Sequence, residues 1–276
     1  MYATIAGGIY NDIGTNSANS AIGGGSENNI AANSAFATIG GGRYNDIGTN
    51  SSYSAIGGGS DNNITSNSVC ATIPGGERNS ATTLAFAAGY RAKANHQSAF
   101  VWGDSSLGAD IASTNANSVT MRAAGGYRLF SNSGASAGAY LAAGSGTWTS
   151  LSDRHAKADL RPVNSQEVLD KVAALPLSTW HYKTQDPAVR HIGPMAQDFK
   201  AAFEVGESDT GITTIDADGV ALAAIQGLNQ KVEERSREQG ARSTELKKEN
   251  RALKQELAEL KALVKTLAEK VNGGGQ

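Results

Sequence analysis

The sequence predicts a chain of mixed class: an N-terminal trimeric β-solenoid, a β-rich neck, a small α+β domain and a C-terminal α-helical coiled coil. Three observations predict it. Isoleucines recur every 17 residues through the first third, the composition changes abruptly near Ser152, and an apolar heptad starts at Leu222. The corresponding segments are residues 1–104, 105–151, 152–221 and 222–276.

The solenoid follows from the repeats "TIAGG", "AIGGG", "TIGGG", "AIGGG" and "TIPGG", which place Ile5, Ile22, Ile39, Ile56 and Ile73 at a constant spacing of 17. Ile13, Ile30, Ile47 and Ile64 form a second series with the same spacing. Such self-similarity means stacked units, each burying its apolar residues against its neighbours. The doubled period is close to that of helical tetratricopeptides, but the glycines, Asn and Ser in every unit are poor helix formers that suit turns. Each coil is therefore expected to carry short strands at the Ile positions, with Gly-Gly and Asn-rich corners at φ > 0 and neighbouring coils ~4.8 Å apart. After Pro74 the coils shorten, with "FAAGY" at Phe86 and "FVWGD" at Phe100. The segment resembles the head of YadA-type trimeric autotransporter adhesins. One or two small apolar residues per coil is a thin core. Three chains packed on one axis are expected to bury the Ile rows, which predicts a homotrimer.

Several chemical readings of the repeats fail. "GGGSDNNIT" is similar to a calcium-binding nonapeptide, yet the sister coil reads "GGGSENNIA" and the other coils lack the acid. The glycine triplets lack the Lys-Ser/Thr and helix of a phosphate loop. Cys70, the one cysteine, takes the slot of Phe36 and Tyr53 and is expected to be a packed thiol. His181 and His191 have no Cys or acidic partners at ligand spacing, so neither metal nor cofactor is expected. A net charge of −2 with 24 Lys+Arg against 26 Asp+Glu gives no basic excess for nucleic acid. No apolar run nears the ~20 residues of a membrane helix, and the N-terminus shows no signal peptide.

Residues 105–150 keep the solenoid's composition but lose its period, and "NSVTMRAAGGYRLFSNSG" alternates in the manner of strands and turns. Then comes "WTSLSDRHAK", with Ser152, Asp153, Arg154, His155 and Lys157 within six residues. Positions five apart face opposite sides of a strand and sit ~140° apart on a helix, so a Ser152–Lys157 contact needs a turn or a partner chain.

From Ser152 onward four blocks succeed one another: "SDRHAKADLRPV", "VLDKVAALPLSTWHYK", "HIGPMAQDF", then "TTIDADGVALAAIQGLNQKVEE". In this order the blocks resemble the intramolecular chaperone domain of phage endosialidases, tail spikes and tail fibres, the S74 family of self-cleaving peptidases. The resemblance implies a Ser152–Lys157 dyad. A serine hydroxyl needs a base, and a lysine becomes one when burial lowers its pKa, so activity would await an assembled trimer. Attack on the Leu151 carbonyl passes through a five-membered ring, which marks the Leu151–Ser152 bond, with the following bond as the alternative. Asp153 and Arg154 are expected to fix the turn or pair across chains. His155 is read as a surface histidine able to serve in proton transfer. Gln197 and Asp198 belong to the family motif, as site-lining or oxyanion-bonding groups or as caps of the helix running into "FKAAF".

The tail carries Leu222, Asn229, Ser236, Ser243, Asn250, Leu257, Val264 and Val271 at a, and Ile225, Val232, Gln239, Leu246, Leu253, Leu260 and Leu267 at d. "SREQGARS" weakens the middle of the seam, and "NGGGQ" ends the helix. The whole is expected to be a tail-fibre or adhesin-like homotrimer, of a phage or phage-like particle or a bacterial surface, whose C-terminal chaperone aligns the chains and cuts itself free. A non-cleaving structural trimer with a permanent cap, and an adhesin head for a host-surface glycan or protein, remain the alternatives.

Overall fold

The computed structural model describes residues 2–273. The chain divides between Ala156 and Lys157 into two compact units.

The first unit is a β-solenoid followed by a small sheet. One parallel sheet stacks Thr4–Ile5, Ala21–Ile22, Thr38–Ile39, Ala55–Ile56, Thr72–Ile73, Phe86–Tyr90, Phe100–Gly103 and Val119–Arg122. A second stacks Asp12–Ile13, Asn29–Ile30, Asp46–Ile47, Asn63–Ile64, Ser80–Ala81, Ala92–Ala94 and Ile111–Ala112. Between them a third row of parallel bridges joins Ile9, Ser26, Arg43, Ser60 and Glu77. The register is one coil per repeat, Ile22 opposite Ile39 and Ile30 opposite Ile47. The corners have the expected backbone: Gly42 sits at φ +89°, where a Cβ would stand 2.1 Å from Gly59 O in the next coil, so only glycine fits.

Two expectations need correction. The Ile rows do not await a partner chain. From the second coil on, the isoleucines of the two rows point inward, and Ile22, Ile39, Ile56 and Ile73 of one sheet and Ile30, Ile47 and Ile64 of the other are almost wholly buried within their own solenoid. Small apolar side chains such as Ala37, Ala71 and Ala81 are buried with them, and polar side chains fill much of what remains. Asn28, Asn45, Asn62 and Asn79 are fully buried and form a ladder, each amide nitrogen donating to the Oδ1 of the asparagine 17 residues earlier and to glycine carbonyls of its own and the following coil. Ser17, Ser34, Ser51 and Ser68 build a second ladder through hydroxyls that accept the N–H one coil on. Coils thin in hydrocarbon are thus held by satisfied buried hydrogen bonds. Cys70, secondly, is exposed. It lies at a corner at φ +57°, in the column of Phe36 and Tyr53 whose side chains project outward.

The coils shorten after Pro74, as the spacing predicts: Thr72 faces Phe86, which faces Phe100. The parallel ladder nevertheless runs past residue 104, since Phe100–Gly103 pairs with Val119–Arg122. A 19-residue excursion between Phe100 and Val119 hides that coil from a search for a fixed period. It is clasped at its base. Arg122 Nε donates to Asp104 Oδ1 at 2.9 Å, other guanidinium N–H groups reach the carbonyls of Asp104, Leu107 and Ala109, and the Ala124 N–H donates to Asp104 Oδ2.

The Ala124 N–H above all, with the Ser106 hydroxyl and Arg122, holds the Asp104 carboxyl well below the usual carboxylate range. A depressed folded pKa stabilises above the unfolded value, near 3.9, and that contribution is lost as pH falls through the folded value. Asp104→Asn is therefore expected to speed amide exchange across 119–124 at pH 7, with the difference from wild type shrinking progressively below about pH 4. Equal exchange at pH 7 would show the clasp to be idle.

The neck is an antiparallel sheet of Gly126–Phe130, Gly138–Ala142 and Trp148–Ser150, with the middle strand paired to both others. The second unit holds helix α1 (Ser165–Ala174), the hairpin Ser178–Trp180 and His191–Gly193, helix α2 (Ala196–Phe203) and helix α3 (Thr214–Gly273). Asn164 caps α1 by accepting the Glu167 N–H. Thr213 caps α3, its hydroxyl accepting the Asp216 N–H at 3.1 Å and donating to the Asp216 carboxylate at 2.7 Å. The side chain of Val271 and the end of "NGGGQ" lie outside the described residues.

Helices α1 and α3 pack closely at Gly227, where a Cβ would stand 2.2 Å from Ser165 O. Lys231 and Asp170 pair at 3.5 Å on the same side, and Ala224 is buried there. Gly227→Ala is expected to lower the stability of this unit by about 1–3 kcal/mol, although alanine is the better helix former. Thermal unfolding checks this, and an unchanged or raised midpoint would mean that the helices part without cost.

Candidate functional site

The last neck strand, Trp148–Ser150, delivers Leu151 in a defined pose. The Leu151 N–H donates to Gly138 O at 3.0 Å, and Leu151 borders a pocket of about 210 Å³ together with Arg128, Phe130, Ala135 and Tyr140. Ser152 follows, exposed at the surface. Asp153 then turns the chain: its carboxylate accepts the His155 N–H at 3.0 Å and its carbonyl accepts the Ala156 N–H at 3.2 Å, closing the 3-10 turn Arg154–Ala156. Arg154 and His155 are exposed. Lys157, also exposed, opens the second unit.

In that unit the Trp-His-Tyr and Ile-Gly-Pro blocks meet. Trp180 pairs with His191 across the hairpin, and the rings of Trp180, Tyr182 and His191 cluster with centroids 4.8–5.7 Å apart. Gln185 and Arg190 brace the cluster. Gln185 Oε1 lies 2.9 Å from His191 Nε2, and Arg190 donates to Thr179 O and Oγ1 at 2.7 and 2.9 Å. The Trp180 indole N–H is buried without an acceptor among the described residues, a cost of about 1–3 kcal/mol set against the ring contacts it makes with Tyr182 and His191. His181 lies 3.5 Å from an Arg190 nitrogen. Among the described residues no group of three or more His, Cys, Asp or Glu could hold a metal ion, and no helix is long and apolar enough to cross a membrane.

Helix α2 begins one residue before Gln197, with Met195 at the N-cap and no side-chain cap bond. Gln197 and Asp198 therefore lie inside the first turn and not at the cap, a correction to the capping reading. The two are also parted. Gln197 lines a cleft of about 440 Å³ with Trp180, Tyr182, Pro194, Met195, Ala196 and the segment Thr210, Gly211 and Ile212. Asp198, turned about 100° round the helix, lines a separate depression with Lys171 and Leu175. The residues that sequence reasoning missed are those around these groups: Arg128 and Tyr140, which line the pocket that Leu151 borders, and Gln185 and Arg190 beside the rings.

Fold and site together define a class: a repeat-built β-solenoid chain joined through a small sheet to an α+β module with a 60-residue terminal helix. Residues 152–205 match the Peptidase S74 family, described as chaperone of endosialidase, and the chain thus carries an S74 chaperone domain. No curated protein and no solved structure matches the chain.

Proposed function

We propose that the chain forms parallel homotrimers, that the S74 module with α3 sets the three copies in register, and that the module then leaves by cutting the Leu151–Ser152 bond. The observation that carries this reading is where the family match opens: at Ser152, immediately after the residue whose N–H the neck holds by a main-chain hydrogen bond to Gly138 O. Such an arrangement fixes the acyl side of a scissile bond before any base arrives.

Helix α3 supports the trimer. Helix α1 covers the side that bears Ala224, Gly227 and Lys231, which are heptad positions c and f. The a and d residues Leu222, Ile225, Val232, Leu246, Leu253, Leu257, Leu260, Val264 and Leu267 remain 49–64 % exposed. An apolar seam of this length is costly in water and is closed by further helices of the same kind. Asn229 and Asn250 in that seam would favour one register over its neighbours.

In the proposed reaction the neutral amine of Lys157 takes the Ser152 hydroxyl proton while Oγ attacks the Leu151 carbonyl carbon. The C–N bond breaks, the Ser152 amine receives the proton, and an ester joins Leu151 to Ser152 Oγ. Water then hydrolyses the ester, leaving a Leu151 carboxylate and restoring the hydroxyl of a new N-terminal Ser152. Water contact keeps an amine protonated, so docking of the copies must first shield Lys157. The turn held by Asp153 sets the spacing, and Arg154, His155, Gln197 and Asp198 serve as support. This assigns the chain to a tail-fibre type of protein, of a phage or other extracellular structure. Sedimentation of the full chain is expected to give a trimer, and N-terminal sequencing of the released fragment to begin at Ser152. A monomer, or a fragment starting well away from Ser152, would end the reading.

A further inference from the structure

With the Ile rows turned inward, each coil presents three outer faces. The outward row of the second sheet includes Asp12, Asp46 and Lys93, and the bridge face carries Arg43 and Glu77. The first sheet differs. Its outward row reads Thr38, Ala55, Thr72, Phe86, Phe100 and Val119 in strict register, without a charge. Trp102 and Met121 pair on the same face. At the corner leading into these strands, Phe36, Tyr53 and Leu84 are about half exposed. Along the axis Phe36 stacks on Tyr53 at 5.0 Å and Phe86 on Phe100 at 4.8 Å, each pair within 3° of parallel. The result is a continuous uncharged ridge.

We propose that this first-sheet face is the surface on which copies of the chain pack against one another, side by side and at equal height. The inference rests on the trimer reading and specifies where the solenoids meet. Its basis is electrostatic as well as apolar. In a parallel assembly about a threefold axis, side chains nearest the axis meet their own copies. The second-sheet face would then set Asp46 against Asp46, and the bridge face Arg43 against Arg43, whereas the first-sheet face brings only hydroxyls, methyls and rings together. An exposed apolar surface running along so many coils is also larger than a solitary soluble chain ordinarily carries.

The test uses the full chain with Cys70→Ser, to which Thr38→Cys or Asn63→Cys is added. Both positions are exposed outward residues, one on each sheet. The proteins are treated when dilute with a short bis-maleimide, and covalent dimers and trimers are read on a denaturing gel while sedimentation of the same variants reports assembly. We expect at least about tenfold more cross-linked chain from Thr38→Cys than from Asn63→Cys, because neighbouring thiols in one assembly see a high effective concentration. Trimers in which Asn63→Cys links as well or better would overturn this face and leave the trimer standing. Monomers by sedimentation would overturn both.

Discussion

Ser152→Ala is expected to run as one intact band where the wild type gives two. Under the proposed reaction, removal of the Ser152 hydroxyl leaves no route to the ester, so the loss should exceed about 10³-fold. Lys157→Ala should match it. Lys157→Arg is the more discriminating change, because guanidinium keeps the positive charge but does not give up its proton in a protein. If Lys157 serves as base, Arg abolishes cleavage as completely as Ala; if it only pairs with a carboxylate, Arg retains it. If the proposed trimer forms through the apolar face of α3, all three variants should still sediment as trimers, since both substituted positions lie outside α1 and α3. Dilution below the assembly threshold should also stop cleavage in the wild type, which separates a reaction conditional on assembly from one built into each chain. Intact wild-type trimers, unchanged over days, would favour a permanent C-terminal cap over a self-releasing chaperone.

How much of this was legible depends on the range of the interactions involved. The 17-residue period announces the solenoid because every Ile has a counterpart at the same place in the next coil. The direction of the Ile rows is not legible from the isoleucines alone. Asn11, Asn28, Asn45, Asn62 and Asn79 keep the same period, and propensity assigns asparagine to corners. A residue that repeats as strictly as the core has a core role, and a buried asparagine ladder makes a thin coil self-sufficient. The end of the solenoid falls at residue 104 by period alone because the final coil is longer than its predecessors. The start of α3 is written in "TTID", a Thr-x-x-Asp cap, eight residues before the first heptad position. Around the site, Ser152 and Lys157 are readable as words in a sequence of family motifs. The seat of Leu151 is not, because it depends on an antiparallel pairing with Gly138 that no local pattern encodes.

The ladder yields the second large effect. Asn45 is fully buried, and its amide nitrogen donates to Asn28 Oδ1, Gly41 O and Gly59 O at 3.0–3.1 Å, while its Oδ1 accepts the Asn62 N–H and amide at 3.2 and 3.0 Å. Asn45→Asp keeps the shape and removes the donor. Ionised, the new carboxylate would face three oxygens in a site closed to water, which we expect to cost about 3–5 kcal/mol; that corresponds to a fall in the melting midpoint of roughly 10 °C at pH 7. The pH dependence identifies the cause. Burial among acceptors raises the folded pKa of this carboxyl above its unfolded value, so the folded state binds the extra proton and the variant gains stability as pH falls through that folded value. Asn45→Leu, which also loses the ladder but carries no charge, should show no such recovery. Because each coil touches only its neighbours, the Asp variant should open by hydrogen exchange first in the coils around Asn28 and Asn62, with the neck unaffected. A midpoint equal to wild type at pH 7 would mean that the buried asparagines fill space and nothing more, and that the isoleucines alone hold the solenoid together.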